Sequence, residues 1–164
     1  MKFTTRTEYG LECLIYMARY RPVEVITIKE IVAKENFSSA YVEKIFQRLR
    51  AAGIVTSHQG KEGGYSLKRP PSKISLKEII EALEEHTFDV YCEPDFRQNI
   101  VCTHFGMCGV RPVWAKTKAL LDGFFGSVTL EMIANEEATV ERGMTAFRGT
   151  VPASHAVQRD GTSG

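Results

Sequence analysis

The stretch Gln59-Gly60-Lys61-Glu62-Gly63-Gly64 constrains this chain more than any other. It separates two runs of strand character, Ile54-Val55-Thr56-Ser57-His58 and Tyr65-Ser66-Leu67-Lys68. Glycine supplies the backbone freedom of a reversal, so the three pieces predict a β-hairpin. Pro70-Pro71 ends its second strand, because proline has no amide to give a ladder. What precedes the hairpin is helical by pattern. Leu11, Leu14, Ile15 and Ala18 recur at i, i+3, i+4 and i+7, which predicts a helix over about residues 5 to 20. Arg21-Pro22 stops it, since proline disfavours helix in the residue before it. Thr27-Ile28-Lys29-Glu30 has the form of a capping box and opens a short helix with Ile28, Ile31 and Val32 inward. After a break at Asn36-Phe37-Ser38, Ser38 or Ser39 can cap a third helix that buries Val42, Ile45, Phe46 and Leu49. Gly53 suits the left-handed position that closes this helix, and Ile54 supplies the accompanying apolar contact.

Beyond the hairpin, Ser75-Leu76-Lys77-Glu78 is a second capping box, for a helix with Leu76, Ile79, Ile80 and Leu83 inward. Residues 86–111 have no clear period and hold Cys92, Cys102 and Cys108. Pro112 suits the first position of a further helix. That helix carries two apolar stripes, Val113/Thr117/Leu120/Phe124 and Trp114/Lys118/Leu121/Phe125. An arc so wide is usually buried on two sides, here on its own domain and on a second subunit. Thr129 to Ile133 opens one more short helix, and the segment after Arg148 has the composition of a disordered tail. The expected fold is therefore mainly α: a winged helix-turn-helix with a two-stranded β wing, plus a long C-terminal dimerisation helix. Its parts are a DNA-binding domain over 1–85, a cysteine-rich loop over 86–111, a dimerisation helix and short helix over 112–137, and a largely disordered tail over 138–164.

Charge agrees with this division. Residues 1–73 hold 13 Lys+Arg against 7 Asp+Glu, and residues 74–164 hold 8 against 13. A basic half beside an acidic half implies that the first half meets a polyanion. Ser39, Tyr41 and Glu43 lie near the start of the third helix, where side chains reach base edges in a major groove. Lys44, Gln47 and Arg48 suit phosphates, which position without specifying. On the wing, His58, Gln59 and Lys61 can touch the backbone or the minor groove. The rival use of such a module is protein contact.

No apolar run approaches the roughly 18 residues of a membrane span. The opening Met-Lys-Phe-Thr-Thr-Arg-Thr-Glu-Tyr-Gly lacks the apolar core of a secretory signal. A cytoplasmic chain without a membrane partner is expected, with cysteines kept as thiols or metal ligands. Cys13 lies between core positions of the first helix and reads as a small buried hydrophobe. The spacing C-x9-C-x5-C of the other three is different. Thiolates suit iron–sulfur clusters or zinc, and Cys108 just precedes a helix start whose dipole favours an anion. A four-ligand site is one short, and His104, Glu8, Glu93 or Asp95 can complete it. Zinc at Cys102, His104 and Cys108 is a rival, as are incidental cysteines. No phosphate-binding glycine loop and no nucleophile–base pair points to an enzyme.

T-x-x-x-E-Y-G-L-x-x-L from Thr4, then S-S-A-Y-V-E-K-I-F-Q-R-L-R-A-A-G-I-V, G-K-E-G-G-Y-S-L and the three loop cysteines resemble the Rrf-two family of bacterial winged-helix regulators, of the IscR, NsrR and RirA type. The likeness covers about residues 1–137. It implies a homodimer on double-stranded palindromic DNA, a long crossing dimer helix, and an iron–sulfur cluster that controls DNA affinity. It places base-readers at Ser39, Tyr41 and Glu43 and cluster ligands at Cys92, Cys102 and Cys108. Glu8 falls where nitric-oxide-sensing members carry an acidic ligand. Gln59 stands where the family usually has a minor-groove Arg, Arg111 where the cluster-biogenesis members have a His ligand, and the nine-residue cysteine gap is longer than usual. The expected function is a repressor whose cluster, four-iron or else two-iron, senses nitric oxide, iron or redox state. The alternatives are a regulator of iron–sulfur biogenesis and a metal-free thiol switch.

Overall fold

The fold is seen in a computed structural model that describes residues 3–20, 22, 24–35, 37–60, 63–88 and 107–135. Three helices come first: α1 (Thr5–Tyr20), α2 (Ile28–Glu35) and α3 (Ser39–Ala51). A hairpin of β1 (Val55–His58) and β2 (Gly64–Leu67) follows. A single 3-10 turn (Pro71–Lys73) leads into α4 (Leu76–Glu84), and the described part ends with α5 (Val110–Ser127) and α6 (Leu130–Ala134). This is the expected winged helix-turn-helix with a two-stranded wing.

The local signals act as the sequence suggests, with two exceptions. At Thr27 the hydroxyl accepts the Glu30 amide at 3.1 Å. At Ser75 the capping box is complete: the hydroxyl accepts the Glu78 amide, and the Glu78 carboxylate accepts the Ser75 amide at 2.9 Å. Burial alone would raise the Glu78 pKa, but bonds from Ser75 and Arg69 hold it below the usual value. Helix α3 ends in a Schellman turn: Ile54 N donates to Leu49 O, Gly53 N to Arg50 O, and Gly53 has φ +72°. The first exception is Ser38, which sits at the N-cap of α3 with extended backbone while its hydroxyl makes no capping bond. The second is Pro112, which is the third residue of α5 and not the first, because α5 begins at Val110. Proline is tolerated there, since amides of the first turn lack an intrahelical partner in any case.

The core lies where α1, α3 and α4 meet. Leu14, Met17, Ile31, Ile45, Phe46, Leu49, Ile79 and Leu83 are all fully buried in it. Two glycines permit close approach. A Cβ on Gly10 would meet Leu83 Cδ1 at 2.4 Å, and one on Gly64 would meet the Ile26 carbonyl oxygen at 2.3 Å. The wing is antiparallel, with Val55 opposite Leu67 and His58 opposite Gly64. It also pairs with the link between α1 and α2, where Ile26 and Tyr65 exchange two backbone bonds of 2.8 Å. The last described segment returns to the same core. Ser75 bridges Thr129, Leu130 N donates to Ile74 O at 2.8 Å, and Leu130 is fully buried. Arg19 Nε donates to Ala134 O at 2.8 Å, which fastens α6 to α1.

Candidate nucleic-acid interface

Helix α3 divides into two faces. Val42, Ile45, Phe46 and Leu49 are turned to the core, which leaves Ser39, Glu43, Lys44 and Gln47 exposed. These are the side chains the sequence assigned to base edges and phosphates, and they share one solvent-facing strip. Tyr41 is half-buried on the flank. Its ring meets Tyr9 edge-on at 5.7 Å, and Tyr9 stacks on Phe37 at 3.9 Å. Tyr41 therefore also fixes the start of α3 against α1. Arg48 is on the same flank and lies 3.6 Å from the Glu85 carboxylate.

The wing stands beside this strip. Gln59 is exposed just past β1, and His58 Nε2 is 2.8 Å from Ser66 Oγ across the hairpin. Arg50 donates to Ser57 Oγ at 3.3 Å and so braces the end of α3 against β1. Sequence reading missed Arg50, because its partner is defined only once the wing folds back. Lys61 lies outside the described residues.

Of the proposed ligands, Glu8 is exposed in the first turn of α1, where a carboxylate favours the helix dipole. That turn is held by Glu84 at the far end of α4. Glu84 accepts from the Thr4 amide at 3.0 Å, from the Thr4 and Thr7 hydroxyls, and from Arg6 at 3.2 Å. Partial burial would raise its pKa, but these donors outweigh that effect and bring it down to about 2. This hub escaped the sequence reading too, since its members are some 80 positions apart.

Cys108 is a half-buried free thiol one residue ahead of Gly109, the N-cap of α5. A metal-ligating thiolate needs an accessible site near positive potential, which Cys108 has. Cys13, fully buried, does not. Cys92, Cys102, His104, Glu93 and Asp95 lie outside the described residues, as does the tail over 138–164. Among the described residues no three His, Cys, Asp or Glu side chains form a metal-binding group. Phe3, near the start of α1, meets Phe125 near the end of α5 at 6.1 Å. At about 1.5 Å per residue that contact is some 25 Å from Cys108.

An exposed polar strip on the second helix of a helix-turn-helix, flanked by a wing, defines a DNA-binding protein of the winged-helix class. The Rrf2 family, described as an iron-dependent transcriptional regulator, matches residues 3–136, and the chain belongs to it. Protein rrf2 of Nitratidesulfovibrio vulgaris is 34% identical over 116 residues, 71% of this chain and 75% of that protein. IscR of Photorhabdus laumondii is 26% identical and covers 86% of this chain and 84% of its own. Among solved structures, CymR, the global cysteine regulator of B. subtilis, superposes with a TM-score of 0.65 at 29% identity, over 82% of this chain and 96% of that one. T. potens IscR gives 0.61 at 29%, over 84% and 90%. Staphylococcus aureus CymR in its oxidized form gives 0.61 at 28%, over 83% and 98%. The protein is thus a DNA-binding transcriptional regulator, and its relatives are regulators and not enzymes. Among the described residues no helix is long and apolar enough to cross a membrane.

Proposed function

We propose that this chain is a cytoplasmic homodimeric repressor whose hold on a palindromic operator depends on an iron–sulfur cluster. The observation that carries the reading is the free, accessible thiol of Cys108 at the head of a helix with an uncovered apolar face. On α5, Val110, Val113, Trp114 and Leu120 are 49%, 55%, 39% and 38% exposed. A stripe of this size is what a second copy would cover. Cys92, Cys102 and Cys108 would hold the cluster, a four-iron one or a two-iron one, with Glu8 of the partner subunit as the further ligand. When bound, such a cluster supplies a centre reactive toward nitric oxide and oxidants. Glu84 and its donors keep the first turn of α1, and therefore Glu8, in one place. Helix α1 bears on α3 through Tyr9 and Tyr41. Two recognition helices must sit about 34 Å apart to read one palindrome, so a small shift of α1 costs affinity. Glu8 favours nitric oxide as the signal, with iron or cluster supply as the neighbouring readings.

A second reading, a thiol switch without metal, has its support in the oxidized CymR structure. Anaerobic purification decides between them. A brown protein with acid-labile sulfide, turned colourless by Cys108→Ala or Cys102→Ala with altered operator binding, supports the cluster. A colourless protein whose DNA affinity follows added oxidant and reductant supports the switch.

A further inference from the structure

We infer that Glu85 is an internal competitor for Arg48 and weakens the grip of the recognition helix on the DNA backbone; the inference rests on the DNA-binding reading of α3. Arg48 follows Lys44 by one turn, so the two cations line one edge of α3. Lys44 is exposed, whereas Arg48 Nη1 lies 3.6 Å from Glu85 Oε1. A guanidinium engaged by a carboxylate must release it before taking a phosphate. The carboxylate also sets a negative charge against the edge along which the phosphates would run.

The backbone of Glu85 makes the placement unusual. Glu85 ends α4 with φ 77° and ψ −35°, and its amide donates to Glu81 O at 3.0 Å. Among the described residues it is the one non-glycine with positive φ. A positive φ is adopted readily by glycine and rarely by residues with a Cβ. A glutamate held there is strained, and such strain clusters at functional positions. Fold stability does not explain it, because both side chains are open to water and exposed ion pairs contribute little.

The test uses the full chain, purified anaerobically, and a fluorescein-labelled duplex of mixed sequence, about 30 base pairs long, since phosphate contacts do not depend on sequence. Fluorescence anisotropy over a salt series reads affinity and its salt slope. Glu85→Gln is expected to bind about three- to tenfold more tightly, with a slope steeper by about 0.9 for each phosphate newly contacted. Glu85→Gly, which also removes the backbone strain, is expected to show the same gain. In an Arg48→Ala background, neither substitution changes the slope. Parent affinity and slope in both single variants overturn the inference. So does a gain that persists without Arg48, which would be a diffuse charge effect. A parent protein with no salt-dependent binding removes the DNA reading of α3, and the inference with it.

Discussion

The winged module and helix α5 solve the burial problem in opposite ways. In the module, the apolar stripe of each helix meets another element of the same chain, down to Leu130 arriving from the far end. On α5 only Phe125 is buried, while Val113 and Trp114 stand open to water. One region closes on itself; the other leaves an apolar face uncovered. An isolated stripe of this kind is stable only when covered, which is the physical ground for the proposed dimer. The proposed ligands lie at helix starts: Cys108 precedes the N-cap of α5, and Glu8 is in the first turn of α1.

That contrast can be broken by substitution, and the largest effect belongs in the core. Phe46→Ala leaves a cavity at a fully buried site and is expected to destabilise by about 3–5 kcal/mol. Denaturant unfolding measures it, and a loss below about 1 kcal/mol would mean the module is not self-contained. Next comes Glu84. Its folded-state pKa is depressed from 4.5 to about 2. Its contribution is therefore full above pH 4.5 and disappears as pH falls through about 2. Linkage makes this about 3 kcal/mol at neutral pH. Glu84→Gln should show that deficit at pH 7 and a flatter stability profile between the two pH values.

Smaller effects sharpen the comparison. Glu85→Gly should stabilise by about 1 kcal/mol through relief of the positive-φ position, and a thermal melt checks it. Val113→Asp, at a site 55% exposed, should change monomer stability by less than about 0.5 kcal/mol, as surface substitutions do. It should still convert the assembly to monomers in sedimentation velocity. A dimer that persists would place the subunit contact elsewhere.

Local chemistry explains what could be read in advance. The two capping residues, the Gly53-Ile54 helix end and the strand alternation each act within a few positions. A linear reading finds them, and the exposed strip Ser39, Glu43, Lys44 and Gln47 follows from helical periodicity alone. Ser38 and Pro112 mark the resolution of that reading, since a first turn tolerates several arrangements of the same residues.

Sequence alone thus determined the order of elements, the inward faces of α1 to α4 and the cysteine pattern, because hydrogen bonds and side-chain periods at short range set them. Tertiary structure decided the rest: Gly10 against Leu83, Gly64 against Ile26, Glu84 beneath the first turn of α1, and Glu85 beside Arg48. Each of these joins positions far apart in the chain. Their meeting depends on how whole elements pack, and no local propensity encodes that distance.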